Sequence, residues 1–183
     1  MTGRPSSRSR VIGGLVLAAA VAGCQGDRSP RRVPDDGAPC SAVMPGAPKE
    51  VEQAIRLEAV AMTERSWILP HPAVDAEPDK DITTFIVRRG SVPTAAPLRD
   101  AALLDAVAAR AARGIALVDG TKPTVEKVAT AGGDAIELRW AGSRAHNASR
   151  FFLRPGGYCE VTIVAARTEA DVASYLASAA VRP

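Results

Sequence analysis

Two histidines, three cysteines and a few pairs of arginine and glycine are the residues of this chain with chemistry to offer. His71 lies in Leu69-Pro70-His71-Pro72, which reads as a rigid loop, and His146 lies in a loop over residues 142–147. Neither has a second histidine or a cysteine at metal-ligand spacing. No H-E-x-x-H, paired C-x-x-C, G-x-S-x-G or P-loop pattern occurs. General acid–base chemistry would need a site assembled in space from His71, His146 and a carboxylate such as Asp75. The plainer reading is two exposed loop histidines. Gly132-Gly133 and Gly156-Gly157 resemble phosphate cradles only superficially. Each joins strand to strand, without the helix N-terminus that binds phosphate, and reads as a hairpin turn. Arg88-Arg89, near a strand end, could meet an anion, although solvated charges are the commoner state of such a pair.

The cysteines carry more. Residues 1–10 hold Arg4, Arg8 and Arg10 and no acid, and Val11 to Ala22 is apolar apart from two glycines. A positive segment followed by an apolar one of this length is an export signal. It is shorter than the roughly 20 apolar residues of a membrane-spanning helix. It ends Val21-Ala22-Gly23-Cys24, which resembles the lipobox of bacterial lipoproteins: a branched apolar residue, two small residues and a cysteine. The resemblance implies cleavage before Cys24 and acylation of its thiol. A single acyl chain binds a membrane only marginally, at about 0.8 kcal/mol per buried methylene, so the several chains of a lipoprotein make the stable anchor. Gln25 follows, rather than aspartate, so a two-membrane host is expected to place the protein on its outer membrane, facing the periplasm. With Cys24 acylated, Cys40 and Cys159 are left in an exported chain, where disulfides persist; a Cys40–Cys159 bridge is the simplest pairing. In such a protein the sequon Asn147-Ala148-Ser149 is a chance match.

Charge follows the same cut. The chain has 23 basic and 20 acidic residues. The three signal arginines account for the excess, so the mature protein is balanced. That lacks the basic footprint of a nucleic-acid binder, and no nucleic-acid partner is expected. Nothing in the sequence points to a cofactor. The expected partners are the lipid bilayer, through acylated Cys24, and a protein whose identity the sequence does not specify.

Residues 24–48 hold five prolines and read as a flexible tether, with Arg31-Arg32 a solvated pair. Residues 49–183 are long enough for a single domain. All seven aromatic residues lie in it, so its core rests mostly on Val, Ile, Leu and Ala. The spacing of Leu103, Leu104, Val107, Ala108 and Ala111 predicts a helix over Pro97–Arg113, stopped by Gly114. A second helix is predicted over Glu169–Val181, opened by Thr168 and Asp171 as a capping box. Elsewhere the apolar period is two. Strands are expected at Ile82–Arg88, Ile115–Val118, Val125–Thr130, Ala135–Trp140, Arg150–Arg154 and Tyr158–Ala166, the last four as two hairpins. Val51–Thr63 fits either strand or helix on its pattern alone.

Short loops in the meander force antiparallel neighbours, and two helices can cover such a sheet, giving an α+β sandwich. A strand leading to Ser66-Trp67 and Pro70, another strand, a long helix, a meander with a late Arg154-Pro155-Gly156-Gly157-Tyr158 turn and a closing helix together resemble the PsbP/DcrB-like fold. The resemblance covers roughly residues 50–182 and implies a strand for 51–63. A cystatin-like or NTF-like curved sheet is the alternative. Relatives of this kind act mostly as binding or assembly modules and share no catalytic set, so no site residue is carried over. The expectation is a membrane-anchored, non-catalytic binding, chaperone or assembly module. The alternative is an enzyme of unfamiliar type working at His71 and His146. The partner surface of the binding module would be sought first in the loops 68–81 and 141–149.

Overall fold

The computed structural model of the chain describes residues 29–35, 37–72, 82–94, 96, 100–142 and 145–182. The expected signal segment, Cys24 and Asp75 lie outside these residues. The ambiguous stretch is a hairpin. β3 (Lys49–Leu57) turns at Glu58 and Ala59 into β4 (Val60–Pro72), with Leu57 opposite Val60. After β5 (Ile82–Ser91) comes the long helix α1 (Asp100–Asp119), then the meander β6 (Thr124–Thr130), β7 (Gly133–Ala141), β8 (His146–Arg154) and β9 (Gly157–Ala166), and the short helix α2 (Glu169–Ala177). These seven strands form one antiparallel sheet in the order β3-β4-β5-β9-β8-β7-β6. Both glycine pairs lie at the hairpin turns expected of them. The fold is α+β, as expected, with helices packed on an antiparallel sheet.

Alternation along each strand sends side chains to opposite faces. On one face α1 packs over β7, β8 and β9, burying Leu103, Leu104, Val107 and Ala108 against Ile136, Leu138, Trp140 and Phe151. Each such side chain contributes roughly 1.5–3 kcal/mol on full burial. On the other face α2 buries Val172, Tyr175 and Leu176 against Phe152, Val161 and Ile163. The capping box is present: Asp171 N–H donates to Thr168 Oγ1 at 3.1 Å, and Thr168 N–H to the Asp171 carboxylate at 3.1 Å.

Four expectations are corrected. The tether folds in large part: β1 (Arg31–Val33) and β2 (Cys40–Met44) join β10 (Ala180–Val181) in a small sheet of order β1-β2-β10. Cys40, Ala42 and Met44 are fully buried, because their period-two spacing lays one face of β2 against β5 and β9. Among the described residues, the folded part thus takes in β1 and β2, upstream of residue 49. Second, Gly114 does not stop α1. One glycine costs a helix interior about 1 kcal/mol, and packing of Ile115 against the core continues the helix through the predicted strand 115–118. Gly120, at φ +66, follows its end. Third, α2 is shorter than predicted, since residues 180 and 181 pair with β2 instead. Fourth, neither histidine is in a loop. His71 lies within β4 opposite Thr83, and His146 opens β8 opposite Ala141.

Candidate functional site

A groove of about 570 Å³ lies between the N-terminal arm, the end of β4–β5 and α2. Its floor is aromatic. Phe85 meets Tyr175 edge-to-face with ring centroids 4.9 Å apart, and His71 meets Phe85 in the same manner at 6.4 Å. Such edge contacts favour the positive rim of one ring over the negative face of the next. Tyr175 is held by its hydroxyl, which donates to the Ile86 carbonyl at 3.1 Å, and burial pushes its pKa well above the usual phenol value. Pro30, Val43 and Pro45 line it from the arm, and Arg167, Asp171, Ser174 and Ser178 from α2 and its two ends.

The arm is fixed in place by its own bonds. Arg32 donates to Ser41 Oγ and to the Ser178 carbonyl, both at 3.2 Å, and Val43 N–H donates to Ser178 Oγ at 3.0 Å. Arg182 N–H donates to the Pro39 carbonyl at 2.9 Å. Cys40 and Cys159 are joined in a disulfide with their Cα atoms 5.7 Å apart, so the pair named from the sequence is bonded here. The arm wall of the groove is thus covalently tied to β9.

The two histidines do not share a site. His71 lines the groove, while His146 lies on β8, with β5 and β9 between their strands. His146 Nδ1 is 2.8 Å from Glu169, which also accepts from Arg139 at 2.7 Å. Arg139 in turn binds Glu137 at 2.6 Å, and Glu137 takes a second hydrogen bond from Arg150 Nε at 2.8 Å. Burial alone would raise the Glu137 carboxyl, but hydrogen bonds from Arg150 and Arg139 outweigh it and hold the pKa below the usual range. This network ties α2 to the meander. In the groove, Asp171 Oδ2 accepts from Thr168 N–H at 3.1 Å and from Thr168 Oγ1 at 2.8 Å. Among the described residues no three His, Cys, Asp or Glu side chains converge as metal ligands.

Sequence reasoning missed a polar ladder buried on the α1 face. Arg88 of β5 is flanked in register by Ser66 of β4 and Glu160 of β9. It donates to Glu160 at 2.6 Å and to Ser66 at 3.2 Å. The neighbouring Glu160 carboxylate, against the opposing effect of burial, pushes the Arg88 pKa above its ordinary value. Thr162 Oγ1 lies 2.8 Å from Glu160 and 2.7 Å from Ser149. One register step away, Tyr158 crosses over Gly90 to donate to Glu64, which also binds Gln53 at 3.1 Å and Arg110 of α1 at 3.5 Å. Burial, with Glu160 and Glu64 beside it, raises the Tyr158 pKa. The ladder's charges are matched within it, so Arg88 serves Glu160 rather than an outside anion. Arg89 lies over the Trp67 ring at 4.8 Å. The only sequence signal of the ladder is polar residues at inward strand positions.

Fold and site together define an antiparallel α+β domain with an aromatic-floored groove closed on one side by its N-terminal arm. No protein-family model and no curated protein matches the chain. Among solved structures it is similar to the cyanobacterial PsbP, CyanoP, from Synechocystis, with a TM-score of 0.48 and 13% identity over 90% of this chain and 99% of that one. No residue role passes with that likeness.

Proposed function

We propose that this chain is a lipoprotein of the cell envelope, acylated at Cys24, whose domain is a non-catalytic binding or assembly module with the groove beside α2 as its binding site. On a two-membrane host the anchor is the outer membrane and the domain faces the periplasm. The groove carries the reading. A groove with aromatic and apolar lining that also carries a few polar and charged side chains, Arg167 and Asp171 among them, is suited to hold a ligand by burial and to orient it by a few polar contacts. The occupant this chemistry fits is an amphiphile, with its apolar body on Phe85 and Tyr175 and its polar end at the His71–Thr83 rim. A protein partner would receive or deliver that ligand.

The test uses 1-anilinonaphthalene-8-sulfonate as the amphiphile. Ser174 is exposed on the rim, so Ser174→Trp fills the groove without disturbing the core. The wild-type chain is expected to bind the probe at one saturable site with enhanced emission, and the variant to lose that site. Unchanged probe binding in Ser174→Trp would remove the groove from the proposal. Turnover of an ester, phosphate, peptide or glycoside substrate that His71→Ala abolishes would replace the binding module with an enzyme.

A further inference from the structure

Large apolar side chains are left exposed among the described residues at Val51, Ile82, Leu117, Val118, Val125 and Leu153. Leu117 and Val118, at the end of α1, are 87% and 85% exposed, and Ile82, which opens β5, is 42% exposed. All three lie at one end of the seven-stranded sheet. A chain of contacts places them there. Asp119, next to Val118, accepts from Trp140 Nε1 at 2.8 Å. Trp140 pairs with Asn147, whose side chain accepts from Ala165 N–H at 2.7 Å. The Ala165 carbonyl accepts from Thr83 at 3.1 Å, and Thr83 is the neighbour of Ile82 and the pairing partner of His71. His71 and Thr83 line the groove together with Pro30.

Pro30 therefore sits at the same end as Ile82, Leu117 and Val118, and it is six residues from Cys24. Six residues span at most about 20–22 Å. A chain held in a bilayer at Cys24 must keep this end of the sheet within that distance of the lipid. Arg113 and Lys122 flank the Leu117–Val118 pair and are exposed, as is Asp119, whose carboxylate is engaged by Trp140 Nε1. Apolar residues set among basic ones are the composition of a surface that rests in a headgroup region.

We infer that this end is a membrane-docking surface, with Leu117, Val118 and Ile82 seated in the bilayer interface. The inference rests on the reading of Cys24 as the lipid anchor. It sets the domain's orientation: the groove mouth beside Pro30 faces the lipid, and the β3–β4 turn at Glu58 points away.

The experiment uses the full acylated chain in vesicles of phosphatidylcholine and phosphatidylglycerol. An environment-sensitive fluorophore is placed on Val118→Cys or, as the distal control, on Glu58→Cys. Flotation of the vesicles reports the anchor, and a lipid-borne quencher reports depth. The expected result is that both proteins float, that the label at 118 shifts to the blue and loses most of its emission to the quencher, and that the label at 58 does neither. Flotation with equal, weak quenching at both positions would overturn the docking surface and leave the anchor standing. Failure to float would remove the anchor and the docking surface with it.

Discussion

At Gly90 a hydrogen atom stands where any other residue would place a carbon against the ring of Tyr158. A Cβ there would lie 2.0 Å from Tyr158 Cε1. Gly90→Ala must push the ring aside and strip its hydroxyl from Glu64, a carboxylate with almost no solvent access. Overpacking costs about 1–3 kcal/mol and an orphaned buried polar group about as much again. Urea unfolding should therefore show Gly90→Ala losing more stability than Tyr158→Phe, which deletes the hydrogen bond alone. Glu137 gives a prediction in pH. Its pKa is depressed in the folded state, so its contribution is present above the unfolded value near 4.5 and disappears as pH falls through the folded value. Glu137→Gln should be less stable than wild type by roughly 1–3 kcal/mol at pH 7, and the gap should close in acid below about pH 4. A gap independent of pH would show that shape, not charge, is what Glu137 supplies. Neither residue announced its role in the sequence. Glu64 and Tyr158 meet across 94 positions through the register of β4, β5 and β9, and register is a property of the sheet. Cys40 and Cys159 were legible by elimination, because their chemistry leaves few partners.

Elements were legible where a local signal closes them. Thr168 and Asp171 start α2 by a bond pair three residues apart, and the two glycine pairs turn their hairpins without help from distant residues. The end of α1 had no such signal. Gly114 looks like a stop, and four apolar residues after it fit a strand as well as another helical turn. The two glycines separate by experiment. Nothing lies within 4 Å of a Cβ at Gly114, whose backbone is helical, so Gly114→Ala should raise stability by about 0.5–1 kcal/mol. Gly120, at φ +66, should lose about 1–2 kcal/mol on the same change. Thermal melts of the two variants should move in opposite directions. The N-terminal arm shows the converse error. Its prolines read as tether, while the alternation of Cys40, Ala42 and Met44 was too short to register as a strand.

For the whole molecule, the groove was the least legible feature. Its walls come from Pro30 to Pro45, from the β4–β5 end and from α2, and only the fold brings these together. His71 was visible as a candidate, but Phe85 and Tyr175 read simply as core. The proposed anchor is tested at this scale too. Cys24→Ala should leave the domain folded, as judged by circular dichroism, and release it from the membrane fraction; retention after high-salt and carbonate washing would refute acylation as the sole tie. The disulfide has a mechanical consequence for a chain pulled from its N-terminal side. Tension entering at residue 31 runs along the arm to Cys40 and crosses directly to β9, a central strand. The stretch between the two cysteines, 119 positions apart, is a closed loop that bears none of the load and cannot be drawn out. With the bridge intact, a pull on the two termini can lengthen only the short segments outside that loop. Reduction would release roughly 400 Å of additional contour. The three hairpin turns and most of the sheet thus lie outside the path of force while the bond holds, whereas Pro30 and the α2 side of the groove lie on it.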